Sequence, residues 1–470
     1  MEMYTFPIRQ RYDEPPSQPG RPPSAAERAA VAATAVGVAL LLAAFLGAPL
    51  GMSWVGPALT FLFLAGGAGA WFWLRYRGTA PGIKHDGIFF GSATRRGALG
   101  WGLGILITGF YVLLYWFPHY IEGGVRLVDP LAYALSGAPA DRWFLYGFLY
   151  TVAMTVFGVR MVMKYRHNRY QIIRTISVVF FQLGFAFLLP HVLRSLNQPE
   201  FYFTYFWPLK SDYLFPGTVR YLIDSPGRLG VFMVSWGAVM AFVATPVLTY
   251  FFGKRWYCSW VCGCGGLAET LGDSWRQLSD KSKRAWSVER WMIHTVLVLI
   301  VALTALLWVN DSRGGAFFGG FTHGFKQWYG FFIGMFFSGV AGVGFYPILG
   351  SRVWCRFGCP MAATLGVIQR FFSRFRITVN GSQCMSCGNC STYCEMGIDV
   401  RSYAQRGENI VRASCVGCGV CSAVCPRGVL KLENGPTHKG RFPGSDKPGA
   451  AFLESLGLRR RTRGRGYYWS

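Results

Sequence analysis

Residues 384–394 read CMSCGNCSTYC and residues 415–426 read CVGCGVCSAVCP. Each contains the spacing C-x2-C-x2-C-x3-C. Three cysteines at these intervals let one tight loop carry three thiolates to three irons of a cubane. The fourth, after three further residues, opens a short turn and reaches the neighbouring cluster. The spacing assigns one [4Fe–4S] cluster to Cys384, Cys387, Cys390 and Cys425, and a second to Cys415, Cys418, Cys421 and Cys394. Zinc is served by paired C-x2-C units that total four ligands, and eight thiols in this register fit it poorly. One position breaks the symmetry. Pro426 follows the last cysteine of the second motif, whereas Glu395 follows that of the first. An acid in place of a shielding proline is expected to expose the neighbouring cluster and shift its potential.

The other five of the 13 cysteines form a second pattern. GKRWYCSWVC (253–262) and GSRVWCRFGC (350–359) match at a constant offset of 97 residues. Each follows a long apolar run and precedes a stretch with the makings of an amphipathic helix, GGLAETLGDSWRQL or MAATLGVIQRFF. This is an internal repeat of a membrane span ending in a cysteine hook. If the two spans are neighbours, Cys258, Cys262, Cys355 and Cys359 converge on one site. That site suits a third Fe–S cluster or another thiolate-held metal, with Cys264 as an extra sulfur that replaces a ligand or stays free. The plainer alternative is a set of buried thiols stabilising two turns. Arg255 and Arg352, beside the hooks, are expected to reach lipid phosphate or to face a cluster's negative charge.

The elements that position these cysteines are membrane spans. Of 470 residues, 52% are hydrophobic and 15% charged, a membrane composition. Eight apolar runs reach the length of a span, near 29–50, 53–74, 98–118, 143–163, 175–195, 230–252, 291–310 and 328–350; the count becomes seven if the first two are split wrongly. With both ends inside, the inner segments carry 38 Lys and Arg and the outer loops 7. The positive-inside rule therefore puts the N- and C-termini and all the cysteines in the cytoplasm of a bacterial inner membrane. The formal charge of +25 is accounted for by anionic lipid and requires no nucleic acid. The expected fold is a polytopic α-helical membrane protein of about eight spans with a C-terminal cytoplasmic ferredoxin-like α+β domain that holds two [4Fe–4S] clusters. It divides into a disordered tail (1–28), a first membrane domain of about five spans (29–229), a membrane domain with the duplicated hooks (230–375), the ferredoxin domain (376–435) and a basic tail (436–470).

These motifs resemble the membrane-bound polyferredoxins of the NosR/NapH/CcoG type. CRFGCP (355–360) matches that family's Cys-x3-Cys-Pro hook in full; CSWVCGC (258–264) has Gly263 where the family has proline. The resemblance covers about residues 230–435. It implies electron transfer with respiratory or assembly partners, and for CcoG-type members metal reduction during oxidase assembly. The chain has no room for the periplasmic flavin domain of NosR-type members.

Within the spans, His119 and His191 near the outer ends form the one histidine pair that a haem could use, and His191 with Gln198 and Glu200 could line a quinol site. The segment QPEFYFTYFWPLKSDYLFPG (198–217) reads as an aromatic belt at the outer interface or a docking surface for a partner. Arg160 is expected to snorkel, and Gly334, Gly339, Gly342 and Gly344 to be close-packing positions. The leading functional reading is an iron–sulfur relay between cytoplasmic-side clusters and a quinone or respiratory redox partner. The alternative is a copper or iron reductase or chaperone in oxidase or reductase assembly, and a third reading is a structural subunit of a larger enzyme.

Overall fold

The computed structural model describes residues 22–77, 91–315 and 318–435. The basic tail and residues 1–21 of the expected N-terminal tail lie outside these. Among the described residues, seven helices are long and apolar enough to cross a membrane: α1 (Ala25–Phe45), α2 (Val55–Arg77), α3 (Ala98–Trp116), α4 (Arg142–Lys164), α5 (Arg169–Ser195), α6 (Leu229–Phe252) and α7 (Lys283–Ser312). Several start on a short polar side chain that accepts an otherwise unpaired N–H of the first turn. Asp141 accepts from Phe144, Asn168 from Gln171 and Ser282 from Ala285. At α1, Ser24 and Glu27 cap each other reciprocally. The helix therefore begins inside the stretch expected to be disordered, and Glu27 is buried against Arg75 of α2 at 3.8 Å.

The eighth expected span behaves differently. A helix, α8 (Phe321–Tyr329), continues in wider turns through Gly330–Ala341, then unwinds before a short turn of helix at Tyr346–Leu349. His323, Lys326 and Gln327 lower its apolarity. Gly339 faces Tyr111 and Tyr115 of α3 so closely that a Cβ would overlap them, while Gly334 faces open space. The packing role expected of these glycines therefore holds for Gly339 and not for Gly334.

Beyond the spans, α9 (Pro360–Phe371) leads into β1 (Arg376–Val379), which pairs antiparallel with β2 (Leu430–Glu433) in the register Arg376↔Glu433 to Val379↔Leu430. Between the strands run the two ferredoxin motifs, related by an offset of 31 residues that extends to the backbone. Ser386 (φ 57°) and Gly417 (φ 65°) take the left-handed conformation, as do Gly388 (φ 81°) and Gly419 (φ 76°). These paired kinks curl each loop around its cysteines. The ferredoxin region and the hooks share one apolar core: Tyr257, Cys258, Cys355, Cys359 and Leu365 belong to the same cluster as Ile377, Val416, Val420 and Leu430. Each fully buried aliphatic side chain contributes about 1.5–3 kcal/mol, so the ferredoxin region is seated on the bundle by burial rather than tethered to it.

Candidate metal centres

The eight ferredoxin cysteines surround two spaces. One, about 330 Å³ and open on one side, is lined by Cys384, Cys387, Cys390 and Cys425. The other, about 390 Å³, is lined by Cys394, Cys415, Cys418 and Cys421. Cys394 and Cys425, the fourth cysteine of each motif, thus face the three cysteines of the other motif. Their sulfurs accept matching backbone bonds, from Ile398 N–H and Val429 N–H, each at 3.4 Å. Backbone donors aimed at sulfur favour the thiolate; burial opposes them and pushes the Cys415 thiol up to about 11 and those of Cys390 and Cys418 to about 12. The donor set fits a sulfur-ligated cluster. In each set four thiols stand around an apolar void rather than meeting at a point. Among the described residues no three His, Cys, Asp or Glu side chains close on a single ion.

The two spaces differ in surroundings. Met385, Ser386 and Cys387 of the first are exposed, while Cys415 and Cys421 of the second are buried. The second loop is held by side chains from outside the ferredoxin region, one to each of four consecutive carbonyls. Gln369 of α9 donates to Cys415 O at 2.7 Å, Ser259 of the first hook to Val416 O at 2.9 Å, and Tyr170 and Gln171 of α5 to Gly417 O and Cys418 O at 2.8 Å.

The hooks repeat in three dimensions. Each leaves its span at a glycine with positive φ, Gly253 (70°) and Gly350 (94°), where a Cβ would overlap Phe375 or Ser279. Cys258, Cys262, Cys355 and Cys359 are buried together. Burial pushes the Cys359 thiol up, and Cys355, Cys258 and Cys262 push it further, so sulfurs from both hooks lie within electrostatic reach. Cys264 donates to Cys262, which is thereby pulled down to about 7 against the effect of burial, with the Gly265 N–H and Arg352 assisting. At Gly263 a Cβ would overlap the Tyr205 hydroxyl and Gln182 Oε1. A larger residue at this site, where the resembling family has proline, would displace the ends of the Tyr205 and Gln182 side chains.

The sequence motifs gave no sign of a buried charge network joining the hooks to the second ferredoxin loop. Asp273 pairs with Lys164 at 2.8 Å and with Arg160 and Arg276 at 3.1 Å. Glu395 pairs with Arg276 at 3.1 Å and Arg352 at 3.0 Å, and Glu269 pairs with Arg174 and Arg352. Three carboxylates thus face five cations, all buried. The excess positive charge lies beside sulfur: Arg276 Nη1 is 3.8 Å from Cys418 Sγ and Arg352 Nη1 is 3.6 Å from Cys355 Sγ. Charges are retained in such a setting only when opposite charge is at hand; metal-ligated thiolates at Cys418 and Cys355 would supply it. Burial pushes the Asp273 and Glu395 carboxyls up. The cations outweigh it, and both are held below the usual carboxylate range: Asp273 by Lys164, Arg160 and Arg276, Glu395 by Arg276, Arg352 and Arg174.

Several expectations are corrected here. Glu395 is 1% exposed; it does not open a cluster to water but bridges two arginines. Arg160 is fully buried and also donates to the Tyr76 hydroxyl at 3.1 Å, so it does not snorkel. Arg255 sits over the Tyr170 and Phe375 rings and Arg352 on Cys355, away from lipid. The aromatic segment 198–217 folds into the bundle: Phe201, Thr204, Phe206, Tyr213 and Phe215 are buried, and Tyr257 of the first hook donates to Thr204 O at 2.8 Å. His119 packs on Tyr120 (4.1 Å between centroids), His191 packs between Phe144 and Phe187 (4.7 and 5.2 Å), and Glu200 accepts from Tyr202 at 2.5 Å. None of these contacts joins His119 to His191, whereas Glu200 lies within electrostatic reach of His191.

Comparison with known proteins follows the same geometry. A family described as "4Fe-4S binding domain" matches residues 235–288 and again 330–378, once around each hook. One described as "4Fe-4S dicluster domain" matches residues 383–430. The Escherichia coli K12 protein named "Putative electron transport protein YccM" is 27% identical over 177 residues, 36% of this chain. An uncharacterized protein of Methanocaldococcus jannaschii, MJ0749, is 26% identical over 166 residues, 34% of this chain. The matches span 47% and 61% of those two relatives. No solved structure matches the chain. The chain therefore has two segments that match a 4Fe–4S binding domain and one that matches a 4Fe–4S dicluster domain and, among the described residues, seven helices able by length and composition to cross a membrane.

Proposed function

We propose that this chain is an integral-membrane electron-transfer protein in which Cys384, Cys387, Cys390 and Cys425 hold one [4Fe–4S] cluster and Cys415, Cys418, Cys421 and Cys394 a second. When bound, such a cluster takes up and releases single electrons. The hook thiols Cys258, Cys262, Cys355 and Cys359 hold a third thiolate-bound centre, with Cys264 donating to Cys262. The observation that carries the reading is the order of the three cysteine sets. A set that exposes Cys387 is followed by one that buries Cys415 and Cys421, and the Arg276–Glu395–Arg352 bridge runs from Cys418 of that second set to Cys355 of the hooks. The arginines stabilise negative charge at both sulfurs, and the shared apolar core excludes water between them. The match of the binding-domain family around both hooks and the electron-transport name of one relative support the same reading, as does the resemblance to the NosR/NapH/CcoG type. The domain divisions drawn from the sequence belong to this reading, with the first membrane domain starting at the Ser24 cap of α1. So do a bacterial inner-membrane location with both termini and all cysteines cytoplasmic, and a quinone or respiratory protein as the further partner.

Anaerobic purification with iron and acid-labile sulfide analysis tests the centres: about twelve irons per chain are expected for three cubanes, and about eight would remove the hook cluster. Adding a quinol or a quinone analogue tests the partner. Bleaching or recovery of the cluster absorbance is expected, and inert clusters would sink this reading. A second reading, a copper or iron reductase or hand-off protein for oxidase or reductase assembly, is favoured by the fifth hook thiol and the lowered Cys262. It predicts tight Cu(I) binding that Cys355→Ser abolishes while the ferredoxin clusters persist.

A further inference from the structure

The 31-residue duplication pairs Glu395 and Met396 with Pro426 and Arg427. In one half these positions are buried, because the acid Glu395 meets Arg276 and Arg352 of the bundle. In the other half Pro426, Arg427 and Gly428 are exposed, and so are Met385, Ser386 and Cys387 of the loop they face. Among the described residues the chain thus covers one of two equivalent faces with a charged contact of its own and leaves the other bare. The bare face has an apolar centre, Met385 (59% exposed) beside Pro426. Arg401 and Arg427 line its cavity, no carboxylate is among the lining residues, and among the described residues neither arginine forms an ion pair. Asp399, two residues from Arg401, is occupied by the Ser391 hydroxyl at 2.7 Å and the Ser402 N–H at 3.4 Å, and Glu408 by Arg406 at 3.0 Å. An apolar centre with a charged rim is the anatomy of a transient protein interface.

We infer that this face docks a small acidic one-electron carrier protein, of ferredoxin or flavodoxin chemistry, whose carboxylates take the role toward Arg401 and Arg427 that Glu395 takes toward Arg276 and Arg352. The inference rests on the electron-transfer reading and gives it a partner. One electron leaves the reduced carrier and enters the centre behind Cys387; the carrier is oxidised by one electron, the centre reduced by one, and no bond or proton moves.

Binding decides the docking. The full chain in nanodiscs of zwitterionic lipid is titrated with an acidic [2Fe–2S] ferredoxin and, separately, with a flavodoxin. Affinity is expected to fall about tenfold or more between about 50 and about 300 mM salt, and by about tenfold in Arg401→Glu/Arg427→Glu. Arg427→Gln, which adds no charge, gives a smaller loss in the same direction. Affinity that stays within about twofold under both charge reversal and salt overturns the docking. So does a dependence on added anionic lipid that the arginines alone govern, since the pair would then face the membrane. Dithionite, which needs no docking face, is expected to reduce wild type and variants alike. If dithionite reduces the clusters but neither carrier binds, the docking fails and the electron-transfer reading stands. If dithionite reduces nothing, the electron-transfer reading fails.

Discussion

Glu395 has the least expected position of any side chain in the molecule. It follows a cluster-type cysteine in sequence, yet its carboxylate is spent on two arginines from the bundle. Removing one member of a buried charge network costs about 3–5 kcal/mol, because the remaining charges lose their partner. Glu395→Gln is therefore expected to lower the thermal midpoint of the purified protein, followed by helical circular dichroism. It is also expected to raise the midpoint potential of the centre beside Cys418, since a negative charge leaves its vicinity. A variant as stable as wild type with an unshifted potential would contradict this assignment. Asp273 supplies the pH counterpart. Its folded pKa is depressed, so its contribution is complete above the ordinary carboxylate value, about 4, and is lost as pH falls through the depressed one. Asp273→Asn should be clearly less stable than wild type at pH 7, with the gap closing only below about pH 4. Denaturation curves at several pH values check it. A gap that closes between pH 6 and 8 would show that another group governs.

At the scale of elements, the cysteine spacings and the 97-residue repeat were legible because each depends on local sequence. The hook glycines at 253 and 350 belong to the same local pattern, and their positive φ is what turns the chain from span to hook. Gly350→Ala forces a Cβ into that conformation, at about 1–2 kcal/mol for the backbone alone, and against Ser279. It is expected to lower iron content at the hooks and leave the ferredoxin signal; equal loss from both would mean a global defect. The charge network and the inward course of segment 198–217 were not legible in this way. Asp273 lies 109 residues from Lys164, and Thr204 lies 53 from Tyr257. No periodicity reports such partners, and an aromatic-rich run reads alike at an interface and in a core. The eighth expected span differs from the helix found there in its bounds. The run 328–350 is apolar enough to count alone, but its helix starts at Phe321 and unwinds after Ala341.

At the scale of the whole molecule, the surplus of Lys and Arg on one side predicts that the hooks and the ferredoxin region face the cytoplasm. Ser382, exposed beside the first loop, tests it. In Ser382→Cys, a membrane-impermeant maleimide should add label in inside-out vesicles and none in intact spheroplasts, relative to wild type. Extra label in spheroplasts would invert the topology. The shared core and the network also join the membrane helices and the ferredoxin region into a single cooperative unit, so neither is expected to unfold alone.

The four carbonyls of residues 415–418 each accept a bond from a side chain outside the ferredoxin region, whereas Met385, Ser386 and Cys387 of the first loop are exposed. The backbone of the second loop is thus held in shape by the seat it rests on, and that of the first is not. Loosening the seat, as in Gln369→Ala, is therefore expected to disturb the Cys415–Cys421 loop before the Cys384–Cys390 loop, which amide hydrogen exchange at the two loops checks.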